Sequence, residues 1–470
     1  MGSTRKEVGK QTSLFAGEDT TAFGRERHGV SLLETQRRGL EKHSMYVAER
    51  ALSTGMMEEV TSHQNLLRAY RRVVSNGGSA GIDGMQTKAL KEWLRGHYIQ
   101  LREELQKGLY CPQGVPGVEI PKANGGKRLL GIPTVVDRLI QQALSQVMMR
   151  QYEPTFCEHS YGFRPKRICH QALQAGSGII AEGKSYVIDL DLENFFDQVN
   201  HDRLMSRLSK RIGDKRILKL IRLYLQSGMM TGGTICQRIK GTPQGSPLSP
   251  LLSNIVLDEL DKELEARGLK FVRYADDVKI FAGSQNAAER IKQSITVYIE
   301  DQLRLKVNQQ KSRICRGYEL NFLGHCLLYK QQVGLSKASE ARLKEKVKQI
   351  TRRNRSQSFT EIIKEINEYL RGWHQYFRYA EMRSKLTKID GWIKRKLRCY
   401  RIKQCKRTIG IVRFLRKEGV KEKESWKTAL SGKGWWRLSN TPATNMAMND
   451  KWFAKEGYYS LSVNYKRYKL

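Results

Sequence analysis

Four acidic residues are spaced as phosphoryl-transfer chemistry would need them. Asp276 and Asp277 stand side by side within residues 271–281, FVRYADDVKIF, where apolar and polar residues alternate on both sides. That pattern predicts strand, tight turn, strand. Two like charges at a hairpin tip repel unless a cation joins them, and a hard divalent ion such as Mg²⁺ takes carboxylate oxygens while leaving positions for phosphate and water. A second pair, Asp189 and Asp191, falls on one face of the alternating residues 187–192, with Ile188, Leu190 and Leu192 on the other. Two-metal phosphoryl transfer needs carboxylates brought together from separate strands. Each pair taken alone reads equally as a solvated turn or a strand end.

Cations that could meet a triphosphate lie earlier in the chain. Residues 118–133, VEIPKANGGKRLLGIP, predict two short strands around a turn, with Lys122 and Arg128 on one ribbon. Such a pair can clamp a triphosphate, Arg bidentately, or can be two ordinary surface charges. Residues 241–254, GTPQGSPLSPLLSN, predict a rigid turn that opens a helix, and Gln244 in it is hard to explain by packing. The glycine-rich residues 76–85, NGGSAGIDGM, lack the GKS/T of a phosphate-binding loop and fit a flexible lid over a strand of nucleic acid. His325 has no partner at ligand spacing and reads as a packed histidine.

The elements that must position these residues sit in a chain of 470 residues, enough for two to four domains. Lys plus Arg number 84 against 47 Asp plus Glu, a net charge of +37. A field of that sign implies a polyanionic partner, nucleic acid above all. No apolar run approaches bilayer length, and the first thirty residues lack the apolar stretch of a secretory signal, so no membrane partner and an intracellular site are expected. The eight cysteines show no CxxC pair and the nine histidines do not group with them, which predicts reduced thiols and no zinc.

Residues 1–56 read as a polar extension, helical between Leu32 and Leu52. Helices are expected at 57–77, 135–147 and 287–303, and an apolar strand at 320–326. From 331 to 420 there are 25 Lys plus Arg and 8 Asp plus Glu, yet Ile362, Ile366, Tyr369, Leu370, Trp373 and Phe377 keep one apolar helical face. Basic amphipathic helices of this kind suit a module lying along a nucleic-acid backbone. The tail, 401–470, mixes basic residues with Trp435, Trp436, Trp452, Tyr458 and Tyr459, which could stack on unpaired bases or close a small core.

In order, the blocks IPKANGGKRLLGIP, SYGFRP, VIDLDLENFFD, GTPQGSPLSPLLSN, RYADD, LKVNQQKS and NFLGH resemble the reverse transcriptase blocks of bacterial group II intron-encoded proteins. The later segment INEYLRGWHQYF resembles their thumb, or maturase, domain. The resemblance runs from about residue 57 to the C-terminus. It implies an α+β right-hand polymerase. Fingers and palm would occupy 57–330 with an antiparallel palm sheet, a helical thumb 331–400, and a small basic DNA-binding domain 401–470.

By that resemblance Asp191, Asp276 and Asp277 would be the palm carboxylates holding two Mg²⁺ ions, with the backbone of Leu192 completing the metal site. Asp189 is the rival to Asp191. Asp191 is preferred because Phe196, five residues on, then falls where the family places the aromatic residue that screens the sugar 2′-position. Lys122 and Arg128 match the fingers residues on the incoming triphosphate, Gln244 the residue beside the nucleotide, and Lys311 a candidate proton donor to the leaving group. The resemblance implies an RNA-directed DNA polymerase and maturase whose partners are its intron RNA, target DNA, a primer strand and dNTPs. A homodimer is left open, and the resemblance implies a bacterial cytoplasmic protein associated with the nucleoid during retrohoming. The H-N-H endonuclease that many members carry is not expected. Two alternatives stand beside this reading: a reverse transcriptase used for repair, defence or diversity generation, and an RNA-binding splicing factor without polymerase activity.

Overall fold

The computed structural model describes residues 55–121, 126–231, 234–236 and 238–468. The helix expected between Leu32 and Leu52 lies outside the described residues. Among the described residues ten strands run in chain order: β1 Val115–Pro121, β2 Lys127–Gly131, β3 Tyr186–Leu190, β4 Met229–Thr231, β5 Thr234–Cys236, β6 Lys270–Tyr274, β7 Asp277–Ala282, β8 Arg313–Arg316, β9 His325–Leu327 and β10 Val333–Leu335. They form one sheet of order β2-β1-β4-β5, one of order β6-β7-β3-β8, and the pair β10-β9. The chain divides into two compact units, one of residues 55–172, 188–280 and 286–313, the other of 173–187, 281–285 and 314–468.

In the first unit, β1 and β2 pair antiparallel with Pro121 opposite Lys127 and Ile120 opposite Arg128, the ribbon expected around residues 122–126. The helix Val135–Tyr152 starts where Thr134 accepts the Asp137 N–H, a cap worth about 1 kcal/mol. Its Leu139, Ile140, Ala143 and Leu144 are fully buried, as their spacing predicts. The helix Ser249–Ala266 carries two kinds of buried residue with different duties. Leu251, Leu252, Leu257 and Leu260 fill the core, while Asn254 and Asp261 are buried polar groups that reach the acidic hairpin.

The second unit is mostly helical. The helix Phe359–Phe377 opens with a reciprocal capping box between Ser358 and Glu361 and buries Ile362, Ile366, Leu370, Trp373 and Phe377. Side chains from 335 to 465 meet in one hydrophobic core, which includes Leu343, Val347, Ile393, Leu415, Phe453 and Tyr465. The helix Arg383–Gln404 passes through position 400 within it. The buried Asp390 carboxylate on that helix accepts from the Tyr458 and Ser460 hydroxyls and from the Leu461 and Ser462 N–H groups, tying residues 458–462 to the helix Arg383–Gln404. Trp452 and Tyr458 are therefore core residues, whereas Trp436 stays 38 % exposed under Arg395, whose guanidinium lies 3.9 Å from the ring centroid.

Three expected elements differ. The helix expected over 57–77 is two, Met56–Val60 and His63–Asn76, broken at Thr61 and Ser62. The helix expected over 287–303 spans Gln285–Val297 and continues as a π-turn over Tyr298–Gln302. The strand expected over 320–326 is confined to His325–Leu327, because the chain reverses at Leu323 (φ 50°) and Gly324 (φ 78°), folding Phe322 back onto His325. Among the described residues no helix is long and apolar enough to cross a membrane.

Candidate active site

The alternation around Tyr274-Ala275-Asp276-Asp277 folds as expected: β6 ends at Tyr274, the chain turns, and β7 begins at Asp277. Ala275 takes φ 58°, a left-handed conformation that a non-glycine residue adopts only when its surroundings hold it there. The holding group is Arg273. Fully buried, its guanidinium donates to both Asp261 oxygens, to Asn254 Oδ1 at 2.9 Å and to the Ala275 carbonyl at 2.9 Å. A buried charge without a partner costs several kcal/mol, so Asp261 and Arg273 depend on each other, and the fixed fork of Arg sets the turn.

β3 is the neighbour of β7 in the sheet, and one side chain links them. The Lys279 ammonium, 3 % exposed, lies against Asp189 Oδ1 and against Asp277 Oδ1. Because Asp277 begins β7 and Asp189 lies near the end of β3, those two strand ends share one edge of the sheet. Burial raises the Asp277 carboxyl above the ordinary range even though Lys279 pulls it down. Burial opposes the charged form of Lys279, but the Asp277 and Asp189 carboxylates more than reverse this and hold its ammonium above the usual lysine value.

Asp191 follows β3 directly, and its backbone is stitched to the segment after the π-turn. Its N–H donates to Ser312 Oγ at 3.0 Å and its carbonyl accepts from the Asn308 N–H at 2.8 Å. Leu192 bridges Val307. The Asp191 carboxylate is 45 % exposed, with Lys311 Nζ at 3.7 Å. Asp276 is exposed at the turn. Among the described residues no group of three or more His, Cys, Asp or Glu side chains is gathered as a metal cage. In chemistry the donors on these strand ends fit Mg²⁺: carboxylates, and near them a backbone carbonyl, all hard oxygens.

Two of the nucleotide-side candidates, Phe196 and Gln244, meet at a cavity of about 550 Å³ also lined by Leu130, Phe163, Asn76 and Arg72. Its walls are fixed from below. The Gly131 N–H donates to the Gln244 carbonyl at 2.8 Å, and the Thr242 N–H to the Phe196 carbonyl at 2.6 Å. Gly245 takes φ 105°, and a Cβ there would meet the Gly131 carbonyl oxygen at 2.6 Å, so only glycine brings this turn so close to β2. Arg138 donates to the Pro133 and Ser79 carbonyls, which pins the glycine-rich loop at the rim.

The structure thus brings Phe196 and Gln244 to one cavity, and Asp191 beside Lys311. Lys122 lies outside the described residues, and of Arg128 only the backbone in β2 is described. His325 is buried among the Tyr376 and Phe377 rings, a packed histidine as expected. Sequence reasoning missed Lys279, Arg273, Arg138 and Arg72. Lys279 did leave a signal: a lysine two places from Asp277, on the same strand face, among Val, Ile and Phe.

Comparison with known proteins assigns two segments of the chain to described families. Residues 120–327 match the family "Reverse transcriptase (RNA-dependent DNA polymerase)" and residues 341–419 match "Group II intron, maturase-specific domain". The chain is 32 % identical over 349 residues to protein YkfC of Escherichia coli, covering 66 % of this chain and 91 % of that one. It is 29 % identical over 330 residues to the group II intron-encoded protein LtrA of Lactococcus lactis, covering 55 % of this chain and 54 % of LtrA. It is also 34 % identical over 251 residues to an uncharacterized 91 kDa protein in a cob intron of Schizosaccharomyces pombe, covering 52 % of this chain and 30 % of that protein. The chain therefore spans about half the length of LtrA and less than a third of the cob-intron protein. It belongs to the group II intron reverse transcriptase family, RNA-directed DNA polymerases that also carry a maturase domain.

Proposed function

We propose that this chain copies RNA into DNA with Asp191, Asp276 and Asp277 as its palm carboxylates, and that it serves as the maturase of its own intron. Those carboxylates and the Leu192 carbonyl would hold two Mg²⁺ ions, which when bound acidify the primer 3′-hydroxyl and neutralise the departing pyrophosphate. The protein's own residues position and select. Arg273 and Asp261 fix the turn that presents Asp276 and Asp277. Phe196, on the wall of the cavity, would exclude a ribose 2′-hydroxyl, and Gln244 would lie beside the nucleotide. Lys122 and Arg128 would grip the triphosphate, stabilising charge that develops on its oxygens. Lys311 would give a proton to the pyrophosphate oxygen.

The observation that carries this reading is the meeting of β3 and β7 at Lys279, which brings acidic strand ends from separate parts of the sequence to one edge. The maturase role would be electrostatic. The helical unit presents basic side chains around a single core, suited to neutralising phosphates of a folded intron RNA. The basic tail, 401–470, would contact target DNA during target-primed reverse transcription.

Primer extension by Asp276→Ala, run beside intron-RNA binding, tests both halves. Extension should vanish while RNA affinity stays within about threefold of the parent. Ordinary extension by this variant would remove Asp276 from the metal site.

A further inference from the structure

Lys279 has no part in the reaction described so far, yet it is 2 % exposed in a strand whose neighbours Val278 and Ile280 are fully buried. A buried ammonium persists only when paired. Two carboxylates meet it here, and they differ. Asp277 uses one oxygen on Lys279 and belongs to the proposed metal site. Asp189 has both oxygens facing cations, Oδ1 against Lys279 and Oδ2 with Arg313 Nε at 3.7 Å. The Arg313 side chain is 55 % exposed, so water screens it, whereas Lys279 has no such screening.

We infer that Asp189 and Lys279 are a positioning pair for the metal site: Asp189 draws the Lys279 ammonium partly off Asp277, so that Asp277 is held in place yet keeps enough negative charge to bind a divalent ion. This inference rests on the assignment of Asp191, Asp276 and Asp277 as the metal ligands. It gives Asp189 a role of its own, that of counter-ion to a lysine, and resolves its rivalry with Asp191.

The local charge makes the inference testable. Asp189, Asp277 and Lys279 together carry one net negative charge. Asp189→Asn leaves Asp277 and Lys279 to cancel each other. Adding Lys279→Met to that variant restores the single negative charge and replaces a buried cation by an apolar chain of similar length.

The experiment is titration of the full-length, RNA-free protein with Mn²⁺, followed by loss of the free-ion electron paramagnetic resonance signal. A unit charge removed ~6 Å from a divalent ion in a water-like dielectric changes affinity by about a factor of ten. Asp189→Asn should therefore bind Mn²⁺ about tenfold more weakly than the parent. Asp189→Asn with Lys279→Met should return to within about threefold of the parent. Parent-like binding by Asp189→Asn overturns the proposal, as does a double variant no tighter than the single one, which would make Asp189 a ligand in its own right. Thermal unfolding of both variants accompanies the titration, and the double variant keeps the test valid should the single one fold poorly. Asp191→Asn separates the two readings: if it retains parent-like Mn²⁺ binding, the ligand assignment itself is wrong, whatever the pair does.

Discussion

A Cβ placed on Gly162 would lie 2.2 Å from the backbone nitrogen of Ala275. The loop carrying Gly162 is fastened to β6 by the Tyr161 N–H to the Arg273 carbonyl at 2.8 Å and the Arg273 N–H to the His159 carbonyl at 2.9 Å. Asn254 Nδ2 donates to the Gly162 carbonyl at 2.9 Å from the other side. The loop has no room to withdraw, so the backbone of the acidic turn would have to move instead.

Gly162→Ala should therefore act on catalysis at a residue that touches no substrate. A displacement of about 1 Å at a reacting group can cost on the order of 10²-fold in rate, and a loss of about that size in single-turnover primer extension is expected. Overpacking adds about 1–3 kcal/mol of destabilisation, visible as a lower unfolding midpoint. Extension at the parent rate would show that the turn tolerates the shift.

Phe196 gives a specificity prediction. Phe196→Ala opens the wall of the cavity beside Gln244, so the variant should incorporate ribonucleotides relative to deoxyribonucleotides at least about tenfold more readily. The check is the ratio of kcat/KM for one rNTP and its dNTP. Unchanged discrimination would move the 2′-screen to another residue.

His201 gives a pH prediction. Its Nε2 donates to the Gly241 carbonyl at 2.7 Å beneath the Phe196 segment, and burial holds the imidazole below its ordinary value. The folded chain thus disfavours the imidazolium. The stability this gives is fully present above about pH 6.5 and is lost as the pH falls through the depressed folded value. Thermal unfolding between pH 8 and 5 should show a drop in midpoint that His201→Gln reduces by roughly 2–4 °C. Equal drops in both proteins would assign the acid sensitivity to other groups.

What the sequence showed and what it hid follow from how far each interaction reaches along the chain. The hairpin 271–281 and the helix Val135–Tyr152 rest on local alternation and periodicity, so both were legible. Phe196 and Gln244 could be placed at one site only through the resemblance, since they lie on separate segments. The Arg273–Asp261 pair was hidden because Asp261 sits in DELDKELEA, a run that reads as a solvated helical face, and only packing shows that this one acid points inward. Lys279 was hidden for a related reason. Its partner Asp189 lies 90 residues away, and no period links a strand to its sheet neighbour. That Trp452 and Tyr458 of the tail enter the core of the helical unit, with Tyr458 bonded to Asp390, was hidden because their partners lie far away along the chain.

The central claim is that Asp191, and not Asp189, is the third acidic ligand of the polymerase site. Single-turnover primer extension at saturating Mg²⁺ compares Asp191→Asn with Asp189→Asn most directly. The account predicts a loss on the order of a thousandfold or more for Asp191→Asn and near-parent rates for Asp189→Asn, whose defect a high metal concentration should overcome. An inactive Asp189→Asn beside an active Asp191→Asn would contradict it.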